Sequence, residues 1–267
     1  MNISIAIPDS CLSDETTQLE KTRKISIFAR SSAIFSVDTI YVYNDGGKKD
    51  DRSLLVTILK YLDTPPFLRK RLFPKLNELK YAGVLHPLKI PSHVSTANPK
   101  KIKEGDVREG IVISTRGKKF VDIGINRLIP YYGNEKIGKR ITIQFKKITP
   151  EFSIKEITRN DIQKYWGYLV KERTVLGDFL ATWKGKIILT SRKGKPIKNS
   201  QVKEYNVTKE PILIVFGSIE KGIYEILGSK LKKMQNARVI NFFPHQATET
   251  VRLEEAILGT LSILNSE

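Results

Sequence analysis

PILIVFGSIEKGIYEIL (211–227) and ARVINFFPHQATETVRLEEAILGTL (237–261) decide the fold. Each begins as an apolar strand, runs into a polar, turn-forming loop and continues as a helix. In an open α/β sheet such loops gather at the carboxyl ends of neighbouring strands, where ligands bind. Upstream, the apolar run 186–190 (KIILT) leads into Ser191-Arg192-Lys193-Gly194 and supplies a third loop. The expectation is a pocket built from 190–194, 215–218 and 241–246. Gly217 and Gly222 carry no Cβ, so backbone there can approach a ligand closely. Ile214, Phe216, Ile240 and Val251 offer apolar walls.

Working outward, residues 3–8 (ISIAIP) read as a buried strand and 14–35 as a helix with an apolar face. DTIYVYN (38–44) is a strand stopped by Asp45-Gly46-Gly47, and 51–62 is a helix ended near Pro65-Pro66. FLRKRLF (67–73) is a short basic amphipathic piece, and the Pro-rich stretch 83–99 reads as a linker. Between 100 and 156 the pattern becomes short alternating strands separated by Gly, Asn and Lys turns, the spacing of a small antiparallel barrel. After 160 the α/β pattern returns, with a strand over 165–171 and a helix over 174–182. The expected organisation is therefore an α/β domain split in sequence. Residues 1–85 form its first half, 86–99 a linker, 100–156 an inserted barrel and 157–267 the second half.

Forty-six Lys and Arg face 28 Asp and Glu, a net charge of +18. The isoelectric point near 9.8 is the electrostatic footprint of a nucleic-acid binder. A Lys-rich thermophile surface is the competing reading, but that composition adds Glu together with Lys. Within 100–155 there are 14 basic and 6 acidic residues, interleaved with Phe120, Tyr131, Tyr132 and Phe145. Basic grooves with aromatic platforms hold single-stranded nucleic acid; taken singly, each of these aromatics reads better as a barrel-core residue. No apolar run approaches the ~18 residues of a membrane span. A single cysteine, Cys11, permits no internal disulfide. The N-terminal residues lack a secretory pattern, so a cytoplasmic protein is expected.

Several chemistries are excluded. There is no G-x-G-x-x-G after the first strand, no phosphate-binding G-x-x-x-x-G-K-[ST] and no serine nucleophile elbow. His86, His93 and His245 are scattered, and no metal-ligand spacing appears.

What remains resembles the SPOUT methyltransferases, and more closely their archaeal and eukaryotic subfamily with an OB-like insertion. FFPHQATETVRLEEAIL (242–258) is similar to that subfamily's P-x-Q-G-(S/T)-x-T-(V/I)-R-x-E-E-A-I signature, with Ala247 standing where the family has Gly. IFARSSAIFSVDTIYVYND (27–45) resembles its first motif and YAGVLHPLKIPSH (81–93) the segment before its insert. The resemblance spans nearly the whole chain. It implies a trefoil-knotted α/β domain binding S-adenosylmethionine, a homodimer with its active site across the interface, and RNA as substrate. The expected cofactor contacts are Thr190, Ser191, Arg192, Gly194, Val215, Phe216, Gly217, Ile240, Asn241, Gln246, Thr248, Thr250 and Val251. Thr250 could also cap the last helix, and Arg252, Glu254 and Glu255 read as helix-surface or interface charges. Arg30 would orient the target, the alternative being a structural or phosphate-contacting arginine, while Arg69, Lys70, Arg71, Lys118 and Lys119 would contact RNA. The expected acceptor is a base nitrogen of ribosomal RNA, with uridine foremost and a ribose hydroxyl as runner-up. The competing classes are a non-catalytic RNA-binding or ribosome-assembly factor and a DNA-binding module.

Overall fold

A computed structural model describes residues 2–94 and 98–266, and the chain divides into two units. The first comprises residues up to Asp63, Asn77–Pro87 and Tyr168 onward; the second comprises Thr64–Leu76 and Leu88–Gly167.

The first unit is built on a six-stranded, all-parallel sheet. Its strands are β1 (Ile3–Pro8), β2 (Thr39–Asn44), β8 (Leu169–Val175), β9 (Lys186–Pro196), β10 (Ile212–Val215) and β11 (Ala237–Asn241), in the spatial order β11-β9-β10-β1-β2-β8. Strands buried on both faces read as continuous apolar runs, as ILIV in β10 does. Alternate positions separate the two faces. Ala6, Tyr41, Tyr43, Leu189, Leu213 and Val215 pack with α4 (Leu176–Ala181) and α6 (Ile223–Leu227). The intervening Ile5, Ile7, Ile40 and Ile214 are also fully buried. They point to the opposite side, where α1 (Gln18–Ile34) packs on α2 (Lys49–Asp63) and α7 (Leu253–Leu264), and α7 on α5 (Asn199–Val207).

Local chemistry sets the boundaries. Helix α1 starts four residues later than the periodicity indicates, because Thr17 and Glu20 form a capping box. The Glu20 N–H donates to Thr17 Oγ1 at 3.2 Å and the Thr17 N–H to Glu20 Oε2 at 3.0 Å. The strand expected over 165–171 begins at Leu169 instead: Gly167 has φ of +97°, and Trp166 turns inward to donate to buried Glu109. Strand β9 runs eleven residues, and only its first part pairs with β10. The rest follows β11 across a register shift, so that Ile240 and Asn241 lie beside Lys195 and Pro196. Gly194 sits in this shift; a Cβ there would fall 2.7 Å from the Ile240 carbonyl carbon and 2.9 Å from the Asn241 nitrogen.

The second unit is a curled five-stranded antiparallel half-barrel. Its strands are β3 (Val107–Thr115), β4 (Lys118–Asp122), β5 (Ile129–Pro130), β6 (Arg140–Lys147) and β7 (Ser153–Ile157), ordered β5-β4-β3-β6-β7. The edge strands are not paired with each other, in contrast to a closed barrel. A side chain bridges them: the Tyr131 hydroxyl donates to Glu156 of β7 at 2.7 Å. Of the four interleaved aromatics, Phe145 and Tyr131 fill the core with Val112, Val121 and Ile143. Phe120 is half-buried and Tyr132 exposed. The basic helix α3 (Pro66–Leu72) belongs to this unit: Phe67 lies where a Cβ of Gly124 would be, and Arg71 pairs with Asp122 at 3.0 Å. Among the described residues no helix is long and apolar enough to cross a membrane.

Gly194→Ala puts a methyl against backbone that cannot swing away, so it is expected to destabilise the protein by about 1–3 kcal/mol in urea unfolding. An unchanged midpoint would contradict the close approach.

Candidate active site

The carboxyl ends of β9, β10 and β11 surround a cavity of about 590 Å³ within the first unit. This lies in the range of small-molecule sites. Of the expected contacts, Thr190, Ser191, Arg192, Phe216, Gly217, Asn241, Gln246, Thr250 and Val251 line it. Gly194, Val215, Ile240 and Thr248 do not. Val215 and Ile240, like Ile214, are sheet core, Gly194 is the β9–β11 contact, and Thr248 is exposed.

Much of the polar chemistry at the rim holds the loops to one another. Thr190 Oγ1 donates to the Val215 carbonyl at 3.0 Å, tying the end of β9 to that of β10. Asn241 Nδ2 donates to the Arg192 carbonyl at 3.0 Å, and the Arg192 guanidinium to the Glu249 carbonyl at 2.6 Å. Gln246 Nε2 donates to the Thr248 and Glu249 carbonyls at 3.0 and 3.3 Å. The loop after β10 closes on itself, with the Ser218 N–H donating to Lys221 O and the Lys221 N–H to Ser218 Oγ. Buried Tyr43 donates to the Phe216 carbonyl at 2.7 Å, while the Phe216 N–H bonds Ala6 O at 2.9 Å.

Two readings of the last helix are corrected. Its N-cap is Arg252, whose N–H donates to Glu255 Oε2 at 2.9 Å; Thr250 lies ahead of it on the cavity wall. Glu254 is no surface charge. It faces Lys24 of α1 at 3.5 Å, and Lys24, itself 3% exposed, also binds Asp14. Ala247 is exposed and its φ is not positive, so a residue with a Cβ is accommodated there.

Sequence reasoning missed Pro8, Cys11, Asp14, Tyr224, Leu253, Ala256 and Thr260 on the wall. The Thr260 hydroxyl is buried and has no hydrogen-bond partner among the described residues. Apolar periodicity marks α7 as core-facing and gives no sign that its inner face also meets a cavity. The other predicted residues lie elsewhere. Arg30, on α1, donates to the Pro87 carbonyl at 3.0 Å and does not line the cavity. In the second unit, Arg69 donates to the Thr64 carbonyl, Lys70 and Lys118 are exposed, and Lys119 Nζ donates to the Glu135 carbonyl at 2.8 Å.

Beside the cavity, two carboxylates meet at the ends of β1 and β2. Buried Asp9 accepts from the Asp45 N–H at 3.1 Å, the Gly47 N–H at 2.9 Å and Arg52 at 3.0 Å. Asp45 accepts from Ser10 Oγ at 2.7 Å and from the Ser10 N–H at 3.2 Å. Burial and then the Asp9 carboxylate raise Asp45 above its ordinary 3.8. Burial pushes Asp9 up too, but the hydrogen bonds from Asp45, Gly47 and Arg52 outweigh it and hold Asp9 below 3.8. The two carboxyls are thus driven apart, Asp9 below and Asp45 above the ordinary value.

The chain matches, over residues 2–264, the family described as "Putative RNA methyltransferase". It belongs to that family of RNA methyltransferases. An uncharacterized protein of Halobacterium salinarum is 30% identical over 99% of each chain. The human 28S rRNA (uridine-N(3))-methyltransferase is 28% identical over 98% of this chain and 77% of its own length. Its Drosophila melanogaster namesake is 25% identical over 99% of this chain and 62% of its own.

The carboxylate pair gives opposite pH behaviour at its two members. Asp9, held low, contributes stability that is present above pH 3.8 and lost as pH falls through its lowered value. Asp45, held high, instead withdraws stability as pH rises from 3.8 through its raised value. Asp9→Asn is expected to lower stability by about 2–3 kcal/mol near pH 7, with the loss shrinking toward about pH 3. Asp45→Asn keeps the backbone N–H that Asp9 accepts and removes a carboxyl whose ionisation is disfavoured in the fold, so it is expected to lose less than about 1 kcal/mol. Urea unfolding at both pH values measures this; equal losses for the two variants would contradict the assignment.

Proposed function

We propose that the protein is an S-adenosylmethionine-dependent methyltransferase acting on a base nitrogen of ribosomal RNA, with N3 of a uridine as acceptor. The three-loop cavity carries this reading. Phe216, Val251 and Leu253 give it apolar walls for a purine, and loop backbone at Gly217 and Phe242 gives it hydrogen-bonding edges. The buried Thr260 hydroxyl on its wall can pair with a polar group of the donor. S-adenosylmethionine, when bound, supplies an electrophilic methyl on a sulfonium. The residues of this chain hold and orient it: Tyr43 and Ala6 fix the Phe216 peptide, and the Arg192–Glu249 and Asn241–Arg192 bonds keep two loops together. Rigid placement of donor and acceptor is worth several powers of ten in rate. A strongly positive protein also favours a uridine whose N3 proton has left.

The printed activity of the human and fly relatives supports uridine N3 in ribosomal RNA. The trefoil knot belongs to the same proposal, supported by β9 passing its β10 partner to pair with β11 and by Arg192 reaching the segment after β11. So does a homodimer. Ile27 and Ile34 of α1 and Leu258 of α7, two helices in contact, are exposed apolar residues. Arg30 lies on α1 and would serve the cavity of a second copy. The antiparallel unit, with the OB-like stretch 100–156 and α3, would hold the RNA, Arg69, Lys70, Arg71, Lys118 and Lys119 contacting its phosphates. A single buried cysteine and the absence, among the described residues, of a membrane-spanning helix fit a cytoplasmic enzyme.

Incubation with S-adenosylmethionine and ribosomal RNA from cells lacking the protein, then digestion and mass spectrometry of nucleosides, tests this. A uridine methylated on the base is expected. Methyl on ribose, or none, would contradict it.

A further inference from the structure

Tyr132 is 93% exposed, the most exposed large hydrophobic residue described. A lone exposed aromatic is unremarkable on a mobile loop, but this one is held by its neighbours. Tyr131 points inward, 7% exposed, and its hydroxyl donates to Glu156 at 2.7 Å and accepts from the Glu135 N–H at 3.3 Å. Its own N–H bonds the Lys119 carbonyl at 3.0 Å, and Lys119 Nζ reaches over to the Glu135 carbonyl at 2.8 Å. On the other side, a Cβ on Gly133 would fall onto the Tyr131 ring. The backbone is therefore pinned immediately before and after Tyr132, and buried Tyr131 alternates with a Tyr132 ring that lies in solvent.

The face it joins has matching chemistry. Phe120 pairs with Pro130 and the Tyr131–Lys119 bond continues that register, which sets Lys118 opposite Tyr132. Lys118, half-buried Phe120 and Tyr132 thus share the outer face of the β4–β5 ribbon. The β3–β4 turn beside it, Arg116-Gly117, has both residues at positive φ (50° and 75°) and puts Arg116 at the tip. Exposed Lys136 follows Glu135 in the pinned loop. An exposed aromatic on a pinned backbone, with exposed cations on the strand opposite and in the adjoining turn and loop, fits an unpaired nucleobase on a polyanionic strand: the π-face stacks and the cations meet phosphates.

We propose that Tyr132 is a stacking platform for an unpaired base of the RNA substrate, with Arg116, Lys118 and Lys136 contacting the flanking phosphates. This rests on the reading of the protein as an RNA methyltransferase and assigns part of its substrate recognition to a residue outside the cavity. A duplex, whose bases are already stacked on each other, would gain nothing from the platform.

The test is fluorescence-anisotropy binding to a labelled single-stranded oligouridylate of about 12 nucleotides, within the span of one such module, and to an RNA duplex of equal length. Tyr132→Ala is expected to weaken the single strand about 5- to 100-fold and to leave the duplex unchanged. Tyr132→Trp is expected to keep the affinity, and its added indole emission to be quenched by the single strand. Lys118→Ala should weaken both RNAs and flatten the salt dependence. Wild-type binding of the single strand that Tyr132→Ala leaves unchanged, with no quenching in Tyr132→Trp, overturns the platform alone. Failure of the wild-type protein to bind either RNA contradicts the RNA reading itself.

Discussion

Backbone packed on backbone at Gly194 is the constraint on which the rest of the cavity depends. Because no side chain intervenes, the second part of β9 can leave β10 and lie against Ile240 and Asn241. Two of the three loops are then near enough to share hydrogen bonds: Asn241 reaches the Arg192 carbonyl, and the Ile197 N–H reaches the Asn241 carbonyl at 3.0 Å. The third loop is set from the other side of the sheet's centre, by Tyr43 of β2 on the Phe216 carbonyl. A buried phenol–carbonyl bond of this kind is expensive to leave half-made, so it fixes the peptide that faces the cavity. Strand order brings the loops together, and these few contacts give the opening its shape.

The fold was legible in large part because its strands are apolar runs and its turns carry Gly, Pro and Asp. All six parallel strands left a mark in the sequence, though β8 was placed too early. YWGY looks like a strand until Gly167 takes a positive φ and Trp166 goes to Glu109, a contact fifty-seven residues away that no local pattern announces. The loops of the cavity were legible for the same reason as the strands that lead into them. Which residues face inward was less so. Val215 and Ile240, expected as contacts, are buried in the sheet, whereas Cys11 and Thr260, unmarked by any motif, line the cavity. Family likeness named Arg192, Asn241 and Gln246, and the structure shows these side chains bonded to loop carbonyls.

Charge is divided between tasks. In the parallel unit, Lys24 is buried among Asp14, Glu15 and Glu254, and Arg52 joins Asp9 to Glu172; these cations brace helices and strand ends. In the antiparallel unit, Lys70, Arg116, Lys118 and Lys136 are exposed. A strongly basic chain can thus stabilise a carboxylate-rich interior and still present a surface that draws in a polyanion.

The central claim is that the three-loop cavity holds the methyl donor, and calorimetric titration with S-adenosylhomocysteine tests it most directly. Wild-type protein and Gly217→Val are compared, since Gly217 lines the cavity and a Cβ there falls 3.3 Å from the Lys221 carbonyl oxygen, so this stretch of the wall must shift to admit a valine. The account predicts one saturable site per chain in the wild type and binding weakened at least about tenfold, or about 1.4 kcal/mol, in the folded variant. No heat of binding in the wild type, or equal affinity in the two proteins, would contradict it.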